Sequence, residues 1–359
     1  MARILYGVAG EGFGHSSRAH LIGQRLIEAG HDVMFAASHK SLEYLGQYFP
    51  GRVRDVFGMR FYYRHGQVNA FTTIYNNAAN LGQCIRTNRE LFKKHVGPFA
   101  PELVITDFEP FTAWWAWKHN VPFVSIDNEH LLTHCRLEHR LKDLVPHLNA
   151  WSVARAYYFG AAKYFVINFF NVPAKGNRTV VTPPIIRPLI YDLAATNGGH
   201  IVLYSTTAAG EAELIETLNK FSPQKFHIYG YDKAAEYGNC YFKKRSTEGF
   251  LADLASCRGV IASAGFSLIS ECLHLRKKML LLPIQGQYEQ IINAHYVEKL
   301  GLGIEADAIT ETSIGRFMDL LRRPYPDNGI ILWPDNEKFF AILDEHLRDL
   351  PVKIRLQKI

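Results

Sequence analysis

The chain has 359 residues, of which 48% are hydrophobic and 21% charged, and its formal net charge is +6. This length exceeds one typical domain and predicts two of ordinary size, each able to build its own core. The five cysteines are scattered and contain no C-x-x-C pair. They argue against a disulfide framework or a zinc site and are typical of a reducing cytoplasm. No apolar run reaches the ~18 residues that a membrane-spanning helix needs.

The chain opens with a predicted strand, helix and strand. Residues 3–9 are a buried apolar run. The helix that follows is predicted to begin at Ser16 or Ser17 and to end at Ala29, because serine caps helix starts and a glycine comes next. Residues 31–37 read as the next strand, so this βαβ unit predicts a parallel sheet. Further strands are predicted at residues 103–106, 122–126 and 164–168.

A proline-rich joint separates two similar halves. Residues 181–188 read VTPPIIRP, and three prolines in six residues predict a stiff, non-helical segment. The pattern then restarts, with a helix predicted at residues 210–220. Two such sheets would leave a cleft near the ends of their strands, where ligands of open α/β sheets bind. The strands predicted after the joint are residues 200–205, 225–229, 239–243, 259–263 and 278–283.

The positive charge is concentrated in the first half. Residues 1–185 carry 20 Lys+Arg against 13 Asp+Glu, a net +7, whereas residues 186–359 carry 20 against 21. A basic half favours an anionic partner, such as an acidic lipid surface or a phosphorylated acceptor, although a solvated charged face is the alternative. Motifs that bind RNA or DNA are absent, so no nucleic-acid partner is predicted.

A glycine-rich segment lies on the predicted turn between the first strand and helix. Residues 10–18 read GEGFGHSSR. Glycines let a ligand approach the backbone and a helix N-terminus favours anions, so Gly12, Gly14 and Arg18 are candidates for a phosphate- or acceptor-binding loop. A dinucleotide-binding loop is the alternative, but the spacing is G-x-G-x-G-H and the second strand lacks a ribose-binding carboxylate at its end. Lys40 keeps NADP open as a ligand.

Two segments of the second half suit a nucleotide sugar. Residues 261–271 read IASAGFSLISE, which predicts a strand, a turn of small residues and a helix start that can cradle a phosphate. Glu271 lies about two turns into that helix and can accept hydrogen bonds from two ribose hydroxyls. Residues 282–294 read LPIQGQYEQIINA and offer carboxylate and amide groups to sugar hydroxyls. Each segment alone could be an ordinary turn, so the prediction needs both.

Together these segments resemble the donor-binding signature of GT-B glycosyltransferases. In that signature a glycine precedes a ribose-binding glutamate by six residues, as Gly265 precedes Glu271, and Asn-Ala begins three residues after a glutamine, as Asn293 follows Gln290. The signature is similar to that of MurG, the peptidoglycan enzyme of glycosyltransferase family 28 type, and of plant and antibiotic glycosyltransferases. The glycine loop ending in His15 also resembles the MurG and galactolipid-synthase loops. Over its whole length the chain resembles a little-characterised microbial MurG-like family.

The resemblance implies a GT-B fold, in which two Rossmann-like parallel-sheet α/β domains face each other across a cleft. The implied N-terminal domain binds the acceptor and spans residues 1–182, and a linker follows at residues 183–198. The implied C-terminal domain binds the nucleotide-sugar donor and spans residues 199–334. Residues 335–359 are expected to form a helix and tail that cross back to the N-terminal domain.

The resemblance also assigns donor-binding side chains to the diphosphate, the ribose and the transferred sugar. Glu289 stands where the plant-type pattern has an aspartate. The implied contacts are Ser205, Thr206, Ser263, Gly265 and Ser267 for the diphosphate, Glu271 for the ribose, and Gln285, Glu289 and Gln290 for the sugar.

A base is needed because an acceptor hydroxyl loses its proton as it attacks the anomeric carbon. An imidazole titrates near neutral pH, so His15 is the predicted base, and Asp107 at the end of a strand is predicted to orient it. Glu109 is the reserve carboxylate. The alternative that His15 only hydrogen-bonds a phosphate or the backbone stays open. Asp107 and Glu109 also form a D-x-E pattern, but GT-B enzymes neutralise the leaving diphosphate with helix dipoles and side chains, so no metal is predicted.

The predicted function is inverting transfer of a sugar from a nucleotide-diphosphate sugar of UDP type, without a cofactor, to an acceptor hydroxyl. The acceptor stays open among a lipid-linked intermediate, a polysaccharide of the cell envelope or surface, and a small metabolite. The aromatic and basic first half resembles the membrane-facing domains of MurG-type enzymes, which predicts a cytoplasmic protein in peripheral contact with the inner face of an anionic membrane. The alternatives are a nucleotide-sugar epimerase or hydrolase on the same fold, and a non-catalytic nucleotide-sugar-binding protein.

Overall fold

Two seven-stranded sheets organise the chain. The computed structural model describes residues 1–10, 13–58, 63–64, 67–68, 70–205, 210–326, 335–348 and 350. One compact unit comprises Met1–Arg64, Val68–Ile185 and Asn336–Ile359, and the other comprises His65–Gln67 and Ile186–Asp335. Within the described ranges, no helix combines the length and apolar character that crossing a bilayer requires.

The sheet of the first unit is entirely parallel, in the order β3-β2-β1-β6-β7-β8-β9, and β4 and β5 form a separate two-stranded sheet. The strands are β1 (Arg3–Val8), β2 (Asp32–Ala37), β3 (Val53–Asp55), β4 (Tyr63–Arg64), β5 (Gln67–Val68), β6 (Leu103–Asp107), β7 (Phe123–Asp127), β8 (Lys163–Ile167) and β9 (Thr179–Thr182). The helices are α1 (Phe13–Glu28), α2 (His39–Tyr48), α3 (Ala70–Leu91), α4 (Gly97–Phe99), α5 (Pro110–Lys118), α6 (Leu131–His134) and α7 (Leu144–Tyr157), with a π-helical turn at Phe92–Val96 and a 3-10 turn at Leu141–Asp143.

The second unit has the same α/β layering, and its sheet is parallel except for the antiparallel pair β12 and β13, in the order β12-β13-β11-β10-β14-β15-β16. The strands are β10 (His200–Tyr204), β11 (Lys225–Tyr229), β12 (Ala235–Tyr237), β13 (Cys240–Phe242), β14 (Gly259–Ala262), β15 (Lys278–Leu281) and β16 (Gly303–Glu305). The helices are α8 (Pro188–Tyr191), α9 (Glu211–Asn219), α10 (Thr247–Ser256), α11 (Phe266–His274), α12 (Tyr288–Lys299) and α13 (Glu311–Arg322).

Both cores follow from the apolar strand sequences. Strands covered by helices on both faces bury the side chains of both faces, which is why β1 is buried after its exposed Arg3 and reads as a continuous apolar run rather than an alternating one. In the second unit, Ile201, Ile261 and Leu280 of adjacent strands are fully buried against Phe317 of α13. The sheets are therefore rigid platforms, and the loops after their strands are available for function.

The first helix starts earlier than its sequence predicts. Ser16 and Ser17 were expected to cap it, but α1 begins at Phe13. The hydroxyl of Ser17 donates to the carbonyl oxygen of Gly14, 3.3 Å away, so the serine satisfies its hydroxyl inside the helix instead of capping it. The earlier start places His15 in the first turn of α1.

The final helix, α14 (Glu337–Leu347), packs within the first unit. Arg25 of α1 donates to Glu337 over 2.7 Å, and its guanidinium lies 5.2 Å from the ring centre of Phe340. Phe339 and Leu343 on the inner side of α14 are fully buried. The last described helix thus belongs to the unit that contains β1 and α1.

We expect Gly7→Ala to destabilise the protein by about 1–3 kcal/mol, as overpacking does. A Cβ at Gly7 of β1 would lie 2.0 Å from the Oγ1 of Thr112 on α5. The measurement is the midpoint of urea unfolding. Gly46→Ala is the matched control: its Cβ would meet nothing within 4 Å on the exposed side of α2, so it should stabilise by about 0.5–1 kcal/mol. Equal stability of Gly7→Ala and wild type would contradict this close contact.

Candidate active site

Three neighbouring strands of the first unit end side by side. Val8 of β1 pairs with Asp107 of β6, and Thr106 of β6 pairs with Ser125 of β7. Because parallel strands place their carboxyl ends at one edge, the segments that follow β1, β6 and β7 converge there.

His15 and Asp107 meet at this edge, as the sequence predicted they could. The Nδ1 of His15 lies 2.7 Å from Oδ1 of the fully buried Asp107. Arg18, one turn further along α1, donates through Nε to Oδ2 over 2.8 Å and through Nη2 to Oδ1 over 2.6 Å. The bidentate arginine fixes the carboxylate, and the carboxylate in turn directs the Nδ1–H of His15 toward itself. The Nε2 of His15 is left as the nitrogen that points away from Asp107.

Glu129, which the sequence analysis missed, reaches that second nitrogen. Its Oε1 lies 3.3 Å from the Nε2 of His15, and its Oε2 accepts from the backbone N–H of Asn128. Burial alone would lower the pKa of His15, but the charges of Asp107 and Glu129 and their hydrogen bonds outweigh burial and raise it to about 10. His15 is therefore an imidazolium at neutral pH while both carboxylates hold it.

A buried network holds the turn that carries Glu129. Asp127 accepts from the backbone N–H of His130 over 2.8 Å, from its ring Nδ1, and from the hydroxyls of Ser125 and Tyr158. Burial would raise the pKa of Asp127, but the charge of His130 and these hydrogen bonds hold it below its usual range. Since the residues on both sides of Glu129 are buried, its backbone is fixed and its side chain is aimed at His15.

Glu109, the reserve carboxylate, has a different role. Its oxygens accept from the backbone N–H groups of Phe111 and Thr112 at the start of α5, and from the Thr112 hydroxyl over 2.6 Å. Burial raises the pKa of Glu109, although these hydrogen bonds act in the opposite direction. Glu109 is the N-cap of α5, whereas Asp107 is the carboxylate of this pair that contacts His15.

Two clusters among the described residues have the residue types of a metal site. The first is His15, Asp107 and Glu129, but the Arg18 guanidinium already neutralises Asp107 and would repel a cation. The second is His200, His227 and Asp253. The two imidazole rings stack with centroids 4.0 Å apart and planes 15° apart, so their in-plane lone pairs do not converge on one ion. Neither geometry favours a metal, and the expectation of metal-independent activity stays a prediction.

The predicted donor residues of the second unit also lie at one sheet edge. Tyr204 of β10 pairs with Ala262 of β14, which pairs with Leu281 of β15, so these three strands end together. Gly265 precedes α11 as its N-cap, and a Cβ there would meet nothing within 4 Å. Open space at a helix N-terminus, where the first backbone N–H groups have no partner within the helix, suits a phosphate. The predicted residues that follow these strand ends are Ser205, Ser263, Ser267, Gln285, Glu289 and Gln290.

Two of the predicted donor residues have unexpected partners. Gln290 uses its Oε1 to accept from the backbone N–H groups of Ala264 and Ile284, so it joins the loops after β14 and β15. A sugar hydroxyl would have to share that oxygen. Glu271 is buried on α11 and is held by Arg187, a residue that sequence reasoning missed. The signal for Glu129 was a carboxylate just after a strand, whereas no local signal marked Arg187.

Of the remaining predicted site residues, the structure describes some and not others. Gly12 and Thr206 lie outside the described residues. Gly14 lies in the first turn of α1 and Gln285 is exposed in the loop before α12. Glu289 is half-buried in the first turn of α12.

The family comparison matches nearly the whole chain: the sequence profile of Glycosyl transferase family 1 covers residues 2–322. A comparison with curated proteins found no match. Among solved structures, the glycotransferase of kitacinnamycin has 15% identity and a TM-score of 0.60, covering 90% of this chain and 91% of its own.

Two further solved structures carry ligands. SsfS6 of Streptomyces sp. SF2575, complexed with thymidine diphosphate, has 14% identity and a TM-score of 0.56, covering 89% of this chain and 96% of its own. UGT2 of Phytolacca americana, complexed with UDP-2fluoro-glucose and pterostilbene, has 15% identity and a TM-score of 0.60, covering 89% of each chain. At these identities the likeness concerns the fold, and the prediction of a GT-B fold is confirmed.

We expect Glu129→Gln to lower the pKa of His15 from about 10 toward its ordinary 6.5, because one of its two charged partners is removed. The measurement is an NMR pH titration of the histidine rings. The raised pKa of His15 contributes to the free energy of unfolding fully below pH 6.5, and this contribution is lost as the pH rises to about 10. The free energy of unfolding of the variant should therefore fall less than that of wild type across this pH range. His20, which stacks on Tyr48, is the internal control and should titrate as in wild type. An unchanged His15 pKa would contradict the contact.

Proposed function

The chain belongs to glycosyl transferase family 1, and from this premise we propose that it transfers a sugar from a nucleoside-diphosphate donor to an acceptor hydroxyl, with inversion at the anomeric carbon. The family match and the shared fold make it a glycosyltransferase. The donor type, the inversion and the acceptor are what the proposal adds. The observation that carries it is the buried Asp107 holding His15 at a sheet edge, an arrangement suited to a general base.

The reaction would proceed as a single displacement. As the acceptor oxygen attacks the anomeric carbon, its O–H bond breaks and the proton passes to the Nε2 of His15. The bond from that carbon to the diphosphate oxygen breaks, and the nucleoside diphosphate leaves from the opposite face. A base must be a neutral imidazole, so the acceptor hydroxyl would take the place of Glu129 at Nε2, which removes one cause of the raised pKa.

The donor would bind at the edge where β10, β14 and β15 end. Hydroxyls of Ser263 and Ser267 and the N-terminus of α11 suit a diphosphate, and these groups also suit the charge that develops on it as it leaves. Two solved structures of the same fold are complexes with thymidine diphosphate and with UDP-2fluoro-glucose, which supports a nucleotide donor. We propose a UDP-type sugar and activity without a metal ion or cofactor.

A nucleotide-sugar hydrolase or epimerase is the second candidate. Glu129 favours it, because a carboxylate on the Nε2 of His15 could also direct a water molecule to the sugar. Incubation with donor alone separates the two: a transferase leaves the donor sugar intact, whereas a hydrolase releases free sugar and an epimerase yields a new nucleotide sugar.

An anionic membrane is the proposed site of the acceptor, in line with the MurG-like resemblance. The outer face of α7 and the turn before it expose Leu141, Leu144, Val145, Leu148 and Trp151, spaced as one helical stripe. The buried residues of α7 are His147 and Ala154, so most of its apolar area faces outward. Residues 136–178 carry seven Lys+Arg against two Asp+Glu. An apolar stripe in a basic segment suits a negatively charged lipid surface and a lipid-linked acceptor of the cell envelope.

We expect His15→Ala to lower kcat by roughly 10²–10⁴-fold, the usual contribution of general acid–base catalysis, with little change in donor affinity. Asp107→Asn should also lower kcat, and the double variant should be no worse than His15→Ala, because Asp107 acts through the imidazole. The measurement is the transfer rate in excess EDTA, using a donor found by thermal stabilisation. Weaker donor binding with kcat retained would mean that His15 binds the diphosphate instead.

We expect the wild type to sediment with vesicles that contain phosphatidylglycerol and much less with phosphatidylcholine alone. Val145→Glu combined with Leu148→Glu should abolish this binding, because it puts two negative charges in the apolar stripe. Leu189→Glu, at an exposed leucine of the second unit, is the matched control and should bind as wild type does. Unaltered sedimentation of the double variant, or a stripe that instead mediates dimers, would contradict the membrane proposal.

A further inference from the structure

Glu271, the carboxylate that the sequence resemblance assigns to the donor ribose, already has a strong partner. Arg187 donates through Nε to Oε1 over 2.6 Å and through Nη2 to Oε2 over 2.7 Å. Glu271 is 4% exposed, so the pair is shielded from water on the carboxylate side. A ribose must either break this pair or bind beside it.

Binding beside the pair is the better solution. An ionised carboxylate has about four acceptor sites on its two oxygens, and a bidentate arginine uses two of them. The remaining sites, one on each oxygen, match two adjacent hydroxyls such as the 2′- and 3′-hydroxyls of ribose. Removing one partner of a buried ion pair leaves an uncompensated charge, which costs more than a ribose hydrogen bond returns.

The backbone presents Arg187 in a fixed position. Pro188 follows it and restricts its backbone to the extended region, where φ is −58° and ψ is 132°. Ile186 and Ile190 on either side are buried. Tyr191 at the end of α8 contacts His274 of α11, with ring centres 4.8 Å apart. The segment that carries the arginine is therefore packed against the helix that carries the glutamate.

We infer that Arg187 is a positioning residue that aims Glu271 at both ribose hydroxyls and makes the donor site select ribonucleotides over 2′-deoxyribonucleotides. The inference rests on the proposed nucleotide-sugar donor. A nucleotide with 2′-deoxyribose would leave one oxygen of the buried Glu271 carboxylate without its hydrogen bond. The loss of one hydrogen bond to a charged acceptor corresponds to about a 10- to 100-fold change in affinity.

The test compares UDP with 2′-deoxy-UDP, which differ by one hydroxyl, by titration calorimetry on the full chain. Wild type should prefer UDP by about 10- to 100-fold. Arg187→Lys keeps the charge but loses the bidentate geometry, and Arg187→Gln loses both. Each should bring the preference close to one, mainly through weaker UDP binding. Glu271→Gln should do the same, and combining it with Arg187→Gln should not reduce the preference further.

Arg316→Gln is the matched charge control, since Arg316 pairs with Glu298 on the surface of the same unit, and it should keep the wild-type preference. Thermal unfolding of each variant checks that it folds. If Arg187→Gln does not fold, the comparison is made with Arg187→Lys alone. Equal weakening of both nucleotides by either Arg187 variant would overturn the inference, because it would place Arg187 on the phosphates. Tighter UDP binding would also overturn it, as expected of a competitor for Glu271. Failure of wild type to bind any nucleotide or nucleotide sugar would instead overturn the proposed function.

Discussion

A fully buried carboxylate, Asp107, sets the geometry of the first unit's site. A carboxylate without water is costly unless it is paired and hydrogen-bonded on both oxygens. Arg18 supplies two of those bonds and His15 a third, and both residues come from the first two turns of α1. The three-residue spacing of His15 and Arg18 is thus dictated by one carboxylate at the end of β6. The start of α1 at Phe13 is part of the same arrangement, because it brings both side chains onto one helical face.

Parallel-sheet geometry explains how much of the site could be predicted. Because β1 and β6 are parallel neighbours, the residues that follow them lie close together. His15, after β1, and Asp107, at the end of β6, could therefore be paired from the sequence. The same rule grouped the donor residues after β10, β14 and β15. It could not choose between two acidic residues at the end of β7, Asp127 in its last position and Glu129 in the turn that follows. The carboxylate of Asp127 accepts hydrogen bonds from His130, whereas Glu129 is the residue that contacts His15. These contacts depend on the tertiary structure and cannot be read from the local sequence.

The partners that could not be predicted lie far along the chain or are set by side-chain hydrogen bonds. Glu109 had the right residue type and position for a catalytic carboxylate, and only its bonds to Phe111 and Thr112 identify it as a cap. Glu271 was recognised by a local motif, but Arg187 lies 84 residues away in a segment whose prolines suggested only a stiff joint. Arg187 and Tyr191, which follow the first prolines of that joint, therefore pack against α11 within the second unit.

Both units solve the same physical problem in the same way. Each buries a carboxylate of its candidate site, Asp107 or Glu271, and each neutralises it with a bidentate arginine, Arg18 or Arg187. A guanidinium is planar and binds both oxygens, so it fixes the orientation of the carboxylate as well as its charge. The acceptor sites that remain on each carboxylate then point in defined directions, and on Asp107 one of them faces the Nδ1 of His15. A lysine in either position would supply the charge without the orientation, so the chemistry of both sites depends on the arginine geometry.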